Sequence, residues 1–126
     1  MSLFNSPLRL LTTKLRGAAW ESQALAFLQQ QNLYLVERNY RCKAGEIDLI
    51  MRNHAGNLIF IEVRGRKNLA YGGAAVSVTR AKQQRLLRTA AHYLWQAQSY
   101  AACRFDVIAF EGEQLIWYRD AFIDQH

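Results

Sequence analysis

The spacing of apolar residues changes along the chain and divides it into segments. Between residues 15 and 31 apolar side chains recur every three or four positions, which predicts an amphipathic helix that stops at Asn32. Residues 1–13 show no such period. We therefore expect a loose arm over residues 1–14 and one domain over residues 15–126.

Three short runs rich in Ile, Leu, Val, Phe and Tyr follow the first helix, at residues 33–40, 46–52 and 58–64. Turn-forming residues separate them, so the pattern predicts three consecutive strands. A glycine-containing loop over residues 65–75 then leads to a second helix, capped by Ser77 or Thr79 and ending near Ala97.

Two further strands are predicted at residues 104–110 and 114–118. The order α-β-β-β-α-β-β is typical of a single α/β domain with a mixed sheet.

Carboxylates in the second and third predicted strands fall at positions where they can meet. If residues 54–56 form a three-residue hairpin loop, the resulting register places Asp48 opposite Glu62 and Glu46 opposite Arg64. Side chains directly opposed in this way have Cβ atoms roughly 4.5–5.5 Å apart. The spacing therefore predicts two neighbouring carboxylates on one face of the sheet.

Two neighbouring carboxylates repel each other, so they need a shared proton, a cationic side chain or a metal ion. Oxygen ligands alone favour Mg²⁺ or Mn²⁺. The alternative is a set of ordinary ion pairs, with Glu46 on Arg64 and Asp48 on Arg52 or another arginine. The residues alone leave both interpretations open.

The charge of the chain favours a polyanionic partner. Sixteen Lys and Arg against ten Asp and Glu give a formal net charge of +6, which suits nucleic acid or an anionic membrane surface. Between Arg38 and Arg88 the acidic residues are Glu46, Asp48 and Glu62, and they lie among many Lys and Arg. A metal site for phosphodiester chemistry needs this layout, because basic groups hold phosphates while carboxylates hold the ion.

Other features indicate the compartment. No apolar run approaches the roughly 20 residues that cross a bilayer, and no signal-peptide segment is visible. Cys42 and Cys103 lack the spacing of a zinc site or a disulfide framework. We expect a cytoplasmic protein with free thiols and no membrane partner.

Two polar residues lie on the apolar faces of the predicted helices. Glu21 shares its face with Ala18, Leu25 and Leu28, so it either joins the carboxylate cluster or pairs with an arginine. Gln83 is in register with the apolar stripe of the second helix, where a glutamine commonly bonds to backbone.

Five segments together resemble the YraN-like family of small bacterial proteins. They are GAAWE at 17–21, GEIDLI at 45–50, FIEVR at 60–64, SVTRAKQ at 77–83 and RFDVI at 104–108. That family is similar to Holliday-junction resolvases and restriction endonucleases of the PD-(D/E)xK superfamily. The resemblance implies a restriction-endonuclease-like domain with a mixed four- to five-stranded sheet flanked by helices.

The resemblance also implies roles for individual residues. Asp48 and Glu62 match the metal-binding acids, Glu21 matches the acid of the first helix, and Gln83 matches a polar position on the following helix. The superfamily has a lysine two residues after the second acid, to orient or deprotonate water, where this chain has Arg64. Arginine is effectively never a base.

Arg64 can still orient water or neutralise a phosphate. Lys82 is the best candidate for a displaced lysine, and Lys67 is a weaker one. The candidate catalytic residues are therefore Asp48, Glu62, Arg64, Glu21, Gln83 and Lys82.

Basic and aromatic residues around the second helix are candidates for phosphate contact, although a solvated surface is the commoner fate of any one of them. They are Arg66, Lys67, Tyr71, Arg80, Arg85 and Arg88. We expect Trp20, Trp95 and Trp117 to be core or edge residues and not base-stacking platforms, Asp106 to be structural and the histidines to bind no metal.

Two functions follow as hypotheses. One is a Mg²⁺-dependent endonuclease on branched or structured DNA, and the other is a non-catalytic nucleic-acid-binding module with a degenerate site. A homodimer is possible by analogy with junction resolvases, which place two cuts symmetrically.

Overall fold

A computed structural model describes residues 7–66 and 78–122. In chain order the elements are α1 (Pro7–Gln30), β1 (Tyr34–Cys42), β2 (Gly45–Arg52), β3 (Leu58–Arg66), α2 (Arg80–Gln96), β4 (Cys103–Glu111) and β5 (Gln114–Tyr118). The order α-β-β-β-α-β-β and the mixed sheet are confirmed. The predicted element boundaries are close, except at the start of the first helix.

Helix α1 begins at Pro7 and not at Leu15, so residues 7–14, predicted as a loose arm, are helical. Proline suits the first helical position, where its fixed φ is helical and its missing N–H has no partner to lose. The helix ends as predicted. Asn32 adopts a left-handed conformation with φ 67°, and the backbone N–H of Leu33 bonds to the carbonyl of Leu28 at 3.1 Å.

The five strands form one sheet in the order β1-β2-β3-β4-β5. All neighbours are antiparallel except β3 and β4, which are parallel. Parallel neighbours need a long crossover, and α2 lies in the connection between them. The N-terminus of α2 is fixed by Thr79, whose hydroxyl accepts the backbone N–H of Lys82 at 3.2 Å.

The two helices are packed into different cores. Ala24 and Leu28 of α1 pack with one set of strand residues, which includes Leu49, Ile61 and Ile108. Complete burial of a leucine or isoleucine side chain stabilises the folded state by about 1.5–3 kcal/mol. The sheet therefore has one core under α1 and another under α2.

The core under α2 contains Leu86 and Ala90 of the helix with Ile50, Phe60 and Phe105 of the sheet. Because Ile50 and Phe60 alternate with Leu49 and Ile61 along their strands, the two cores lie on opposite faces of the sheet.

The β2–β3 hairpin has the predicted register. The backbone N–H of Asn53 bonds to the carbonyl of Asn57 at 3.1 Å, and Leu49 pairs with Ile61. The next position along each strand is Asp48 on β2 and Glu62 on β3. Regular pairing thus leads directly to the two acids.

Two further features bear on the predictions. Asp106 is fully buried and accepts hydrogen bonds from Arg104, Trp117 and the backbone of Asp120, so its structural role is confirmed. Neither helix in the described part of the chain is long and apolar enough to span a membrane.

Candidate metal centre

Asp48 and Glu62 meet at the end of the regular β2–β3 pairing. Their carboxyl groups lie close enough to interact directly, and Oδ2 of Asp48 accepts the backbone N–H of Val63 at 2.8 Å. Only 7% of Glu62 is exposed. The strands therefore fix both acids, and one of them is almost dehydrated.

The surroundings of Asp48 favour its neutral form. Burial, the hydrogen bond with Glu62 and repulsion from the Glu62 charge raise the pKa of Asp48 to about 8, although the Val63 amide and Lys82 act in the opposite direction. At neutral pH the pair therefore holds a proton. Two cationic side chains, Lys82 and Arg64, also lie near the pair.

The first cation is Lys82, in the first turn of α2. Its Nζ lies 3.6 Å from Oε2 of Glu62, and its side chain is 29% exposed. The Thr79 cap fixes the turn that carries it. The structure therefore brings Lys82 to the acids from the helix that crosses over this face of the sheet.

The second cation is Arg64, whose Nε lies 3.9 Å from Oε1 of Glu62. That distance is too long for a hydrogen bond. The same Nε is buried. Among the described residues it is the one buried side-chain nitrogen or oxygen that has no hydrogen-bond partner. Buried donors are almost always satisfied, so an unsatisfied one marks a place where a further acceptor fits.

Glu21 is bonded elsewhere. Its Oε1 accepts hydrogen bonds from Arg38 at 3.1 Å and from Asn39 at 3.0 Å, both on β1. This is the arginine pairing that the sequence left open. Within residues 7–66 and 78–122 no group of three or more His, Cys, Asp or Glu side chains is placed to hold a metal.

The other predicted ion pairs differ from the observed ones. Glu46 pairs with Arg41 of β1 at 3.4 Å, and not with Arg64. Asp48 accepts a hydrogen bond from the Val63 amide and lies against Glu62. Among the described residues it forms no ion pair with Arg52, so the interpretation of these acids as ordinary ion-pair partners is wrong for Asp48.

Gln83 forms a hydrogen bond with the backbone, as a glutamine on the apolar face of a helix commonly does. Its Nε2 donates to the carbonyl of Val78 at 3.1 Å. It therefore supports the N-terminal turn of α2, next to Lys82.

The candidate phosphate-binding residues are only partly described. Arg80, Arg85 and Arg88 are exposed on α2. The side chain of Arg66, together with Lys67 and Tyr71, lies outside the described residues.

A contact that the sequence analysis missed supports the end of β3. The ring of Trp20 lies against Gly65, so closely that a Cβ on Gly65 would come within 2.2 Å of it. Trp20 is also stacked on Phe110, with ring centroids 6.0 Å apart. A glycine inside a strand signals such a close approach, and this one directly follows Arg64.

Comparison with known proteins places these residues in a shared region. A model of the family described as "Uncharacterised protein family UPF0102" matches residues 20–110. A UPF0102 protein of Cupriavidus necator is 53% identical over 122 residues, which cover 97% of this chain and 93% of the relative.

Two other relatives give the same picture. A UPF0102 protein of Methylibium petroleiphilum is 49% identical, covering 90% of this chain and 98% of its own. A UPF0102 protein of Burkholderia pseudomallei strain 1106a is 54% identical, and the match covers 84% of this chain and 74% of the relative. The region matched by the family model includes Asp48, Glu62, Arg64 and Lys82.

Proposed function

The chain belongs to the UPF0102 family, and from that premise we propose that it is a metal-dependent endonuclease acting on branched or otherwise structured DNA. The observation that carries the proposal is the close approach of the Asp48 and Glu62 carboxyl groups, with Nζ of Lys82 3.6 Å from Oε2 of Glu62. Two acids and a lysine are the set that the PD-(D/E)xK resemblance implies. Since folds host many activities, the site and not the fold supports this assignment.

The donor set fits a hard divalent cation. Mg²⁺ is usually bound through one or two carboxylates, keeps several waters and takes further oxygens from substrate phosphates. Asp48 and Glu62 supply the carboxylates, and the proton favoured by the raised pKa of Asp48 would leave when a cation binds. When bound, Mg²⁺ or Mn²⁺ would supply an activated water and charge stabilisation at the phosphate.

Lys82 and Arg64 have separate tasks in this proposal. Lys82 stands beside Glu62 as a compact donor, and it positions the attacking water. Arg64 has a buried Nε with no hydrogen-bond partner among the described residues, so its guanidinium donates to an oxygen of the scissile phosphate. The chemistry lost by replacing the usual lysine with Arg64 is thus restored from α2.

DNA is the proposed substrate because of the charge around the site. Residues 63–105 contain no Asp or Glu, and basic side chains of α2 are exposed near Lys82. No base-reading motif accompanies them, so binding should be largely independent of base sequence and should weaken steeply with salt. A homodimer remains a proposal by analogy alone, and light scattering with and without junction DNA tests it.

The second candidate is a nucleic-acid-binding module without catalysis. The observation that favours it is Arg64, which stands at the usual lysine position and lies only 3.9 Å from Glu62. Its charge can neutralise the acids in place of a metal ion. The position of Lys82 favours the enzyme, because a degenerate site has no need for a second cation on the same carboxylate.

The test is cleavage of a labelled four-way junction, a flapped duplex and a plain duplex in Mg²⁺ or Mn²⁺. We expect cleavage of the branched substrates, none in EDTA, and loss of cleavage in Glu62→Gln. Glu46→Gln is the matched control, since it removes an acid of the same hairpin that is paired with Arg41. If the wild type binds these substrates and does not cut them, the non-catalytic nucleic-acid-binding module is favoured. Cleavage by Glu62→Gln would overturn the proposed site.

A further inference from the structure

Two aromatic side chains beyond the carboxylates are unusually exposed. Trp95, in the last turn of α2, is 78% exposed, and Tyr100, shortly after the helix, is 100% exposed. The expectation that Trp95 is a core or edge residue is therefore wrong. The two residues line an open recess of about 830 Å³ together with Leu94, Gln96, Gln98 and Ser99.

Trp95 continues a row of basic side chains along α2. Arg85, Arg88, His92 and Trp95 are all exposed, and their spacing of three, four and three residues places them on one stripe of the helix. At 1.5 Å per residue, the stripe is about 15 Å long. It starts three residues after Lys82, so it leads away from the carboxylate site.

The stripe has the charge of a polyanion-binding surface. Helix α2 contains Arg80, Lys82, Arg85 and Arg88 and no acidic residue. No Asp or Glu occurs anywhere between Glu62 and Asp106. A backbone of phosphates lying along this helix would therefore meet positive charge without repulsion.

We infer that this stripe, together with Tyr100, binds a single-stranded nucleic acid, with phosphates on Arg85 and Arg88 and unpaired bases stacked on Trp95 and Tyr100. Base stacking needs an accessible aromatic face and unpaired bases, because the faces of bases in a duplex are already covered by their neighbours. The inference deepens the proposed function and rests on it for the choice of a nucleic acid. It names the feature of the substrate, an unpaired strand beside the site.

A membrane surface fits the same helix less well. A helix that lies in a bilayer buries its apolar side among the lipids. The apolar side of α2 is already buried in the protein, where Leu86 is 4% and Ala90 2% exposed. The exposed side of α2 carries the charges of Arg85 and Arg88 and the ring of Trp95, which lies beside His92 with ring centroids 6.2 Å apart.

The experiment is fluorescence anisotropy in EDTA with a labelled oligothymidylate of about 16 nucleotides. We expect Trp95→Ala to weaken binding about tenfold, and Trp95→Phe, which keeps a stacking face, to stay close to the wild type. The double variant Arg85→Gln, Arg88→Gln should lower the slope of log affinity against log salt by about 1.4.

The matched control is Arg119→Gln. Arg119 is exposed and lies over Trp117, 4.0 Å from its ring centroid, in the β5 region rather than on α2. Its replacement should leave affinity almost unchanged. All four substituted positions are exposed, so thermal melts close to the wild type should verify that each variant is folded.

Further arms of the experiment identify the ligand. A duplex of the same length should bind more weakly than the single strand, and comparison with an RNA oligonucleotide tells which nucleic acid is preferred. Equal affinity of Trp95→Ala and the wild type, tighter binding to the duplex, or a response of Trp95 to anionic vesicles but not to oligonucleotides would overturn the inference. Because EDTA excludes catalysis, single-strand binding by a chain that cuts nothing would leave the inference standing while the nuclease proposal fell.

Discussion

Lys82 lies beside Glu62, with its Nζ 3.6 Å from the Oε2 of the carboxylate, although the two residues belong to different elements. Glu62 is on β3, and Lys82 is in the first turn of α2. The superfamily that the sequence resembles has a lysine two residues after the second acid, where this chain has Arg64. In this structure a lysine reaches Glu62 from a helix instead.

Lys82→Ala should lower the rate of DNA cleavage at least about 100-fold, as expected for loss of a group that acts on the reacting water. Single-turnover kinetics with saturating protein measure this step apart from binding. Gln84→Ala, a change on the same turn of α2, is the control and should cut at the wild-type rate. Unchanged cleavage by Lys82→Ala would remove this residue from the site.

Arg64→Lys should partly rescue the Lys82→Ala variant, because it returns a lysine to the position two residues after Glu62. The double variant is compared with both single variants in the same single-turnover assay. If the double variant cuts no faster than Lys82→Ala, a lysine at position 64 cannot replace Lys82. Arg64 would then contact the phosphate or stabilise the fold.

Stability without metal should fall as pH rises, because the pKa of Asp48 is raised to about 8 in the folded protein from its ordinary value of 3.8. The folded state then binds the proton more tightly than the unfolded chain. This contribution to stability is fully present below about pH 4 and is lost as pH rises to about 8. Asp48→Asn should lack it, since an amide does not titrate.

Thermal melts of the wild type and Asp48→Asn across this pH range measure the difference, and Glu46→Gln should follow the wild type. The asparagine can donate to Glu62 and still accept from Val63, so at pH 8 the variant should melt at an equal or higher temperature. Added Mg²⁺ or Mn²⁺ should reduce the difference in melting temperature between Asp48→Asn and the wild type, or reverse its sign, since only the wild type binds the ion. Strong destabilisation of Asp48→Asn at pH 8, with no gain of the wild type from metal, would make Asp48 a structural partner.

Gly65→Ala should destabilise the protein by about 1–3 kcal/mol, because the new methyl group would overlap the Trp20 ring. Gly17→Ala is the matched control. Nothing lies within 4 Å of its added Cβ, and alanine is favoured over glycine in a helix by up to about 1 kcal/mol. Urea denaturation should therefore move the two variants in opposite directions, and a Gly65→Ala midpoint equal to the wild type would contradict the contact.

The sequence was informative where local rules decide the outcome. The register that leads to Asp48 and Glu62 follows from the hairpin loop and the alternation of strand residues. The partner of Glu21 could not be chosen in this way, because Arg38 reaches it only through the packing of α1 on β1. Trp95 was misjudged from its residue type, whereas its spacing from Arg85 and Arg88 already placed it on their exposed stripe.

The start of α1 was also misjudged, since residues 7–14 lack an apolar period and yet extend the helix. Propensity and a favourable proline at the first position decide such a segment more than amphipathic pattern does. The contact of Trp20 with Gly65 joins distant parts of the chain. A glycine inside a strand indicates such a close approach, but it does not identify the partner.

The most direct measurement is a calorimetric titration of Mn²⁺ into the metal-free protein at pH 7, repeated in two buffers of different ionisation enthalpy. The wild type should bind one ion and release up to about one proton, because the proton that the raised pKa of Asp48 retains at pH 7 must leave. Glu46→Gln should behave in the same way, and Asp48→Asn should not bind at the same concentrations. No binding by the wild type at millimolar metal, or equal binding by Asp48→Asn, would contradict the metal centre.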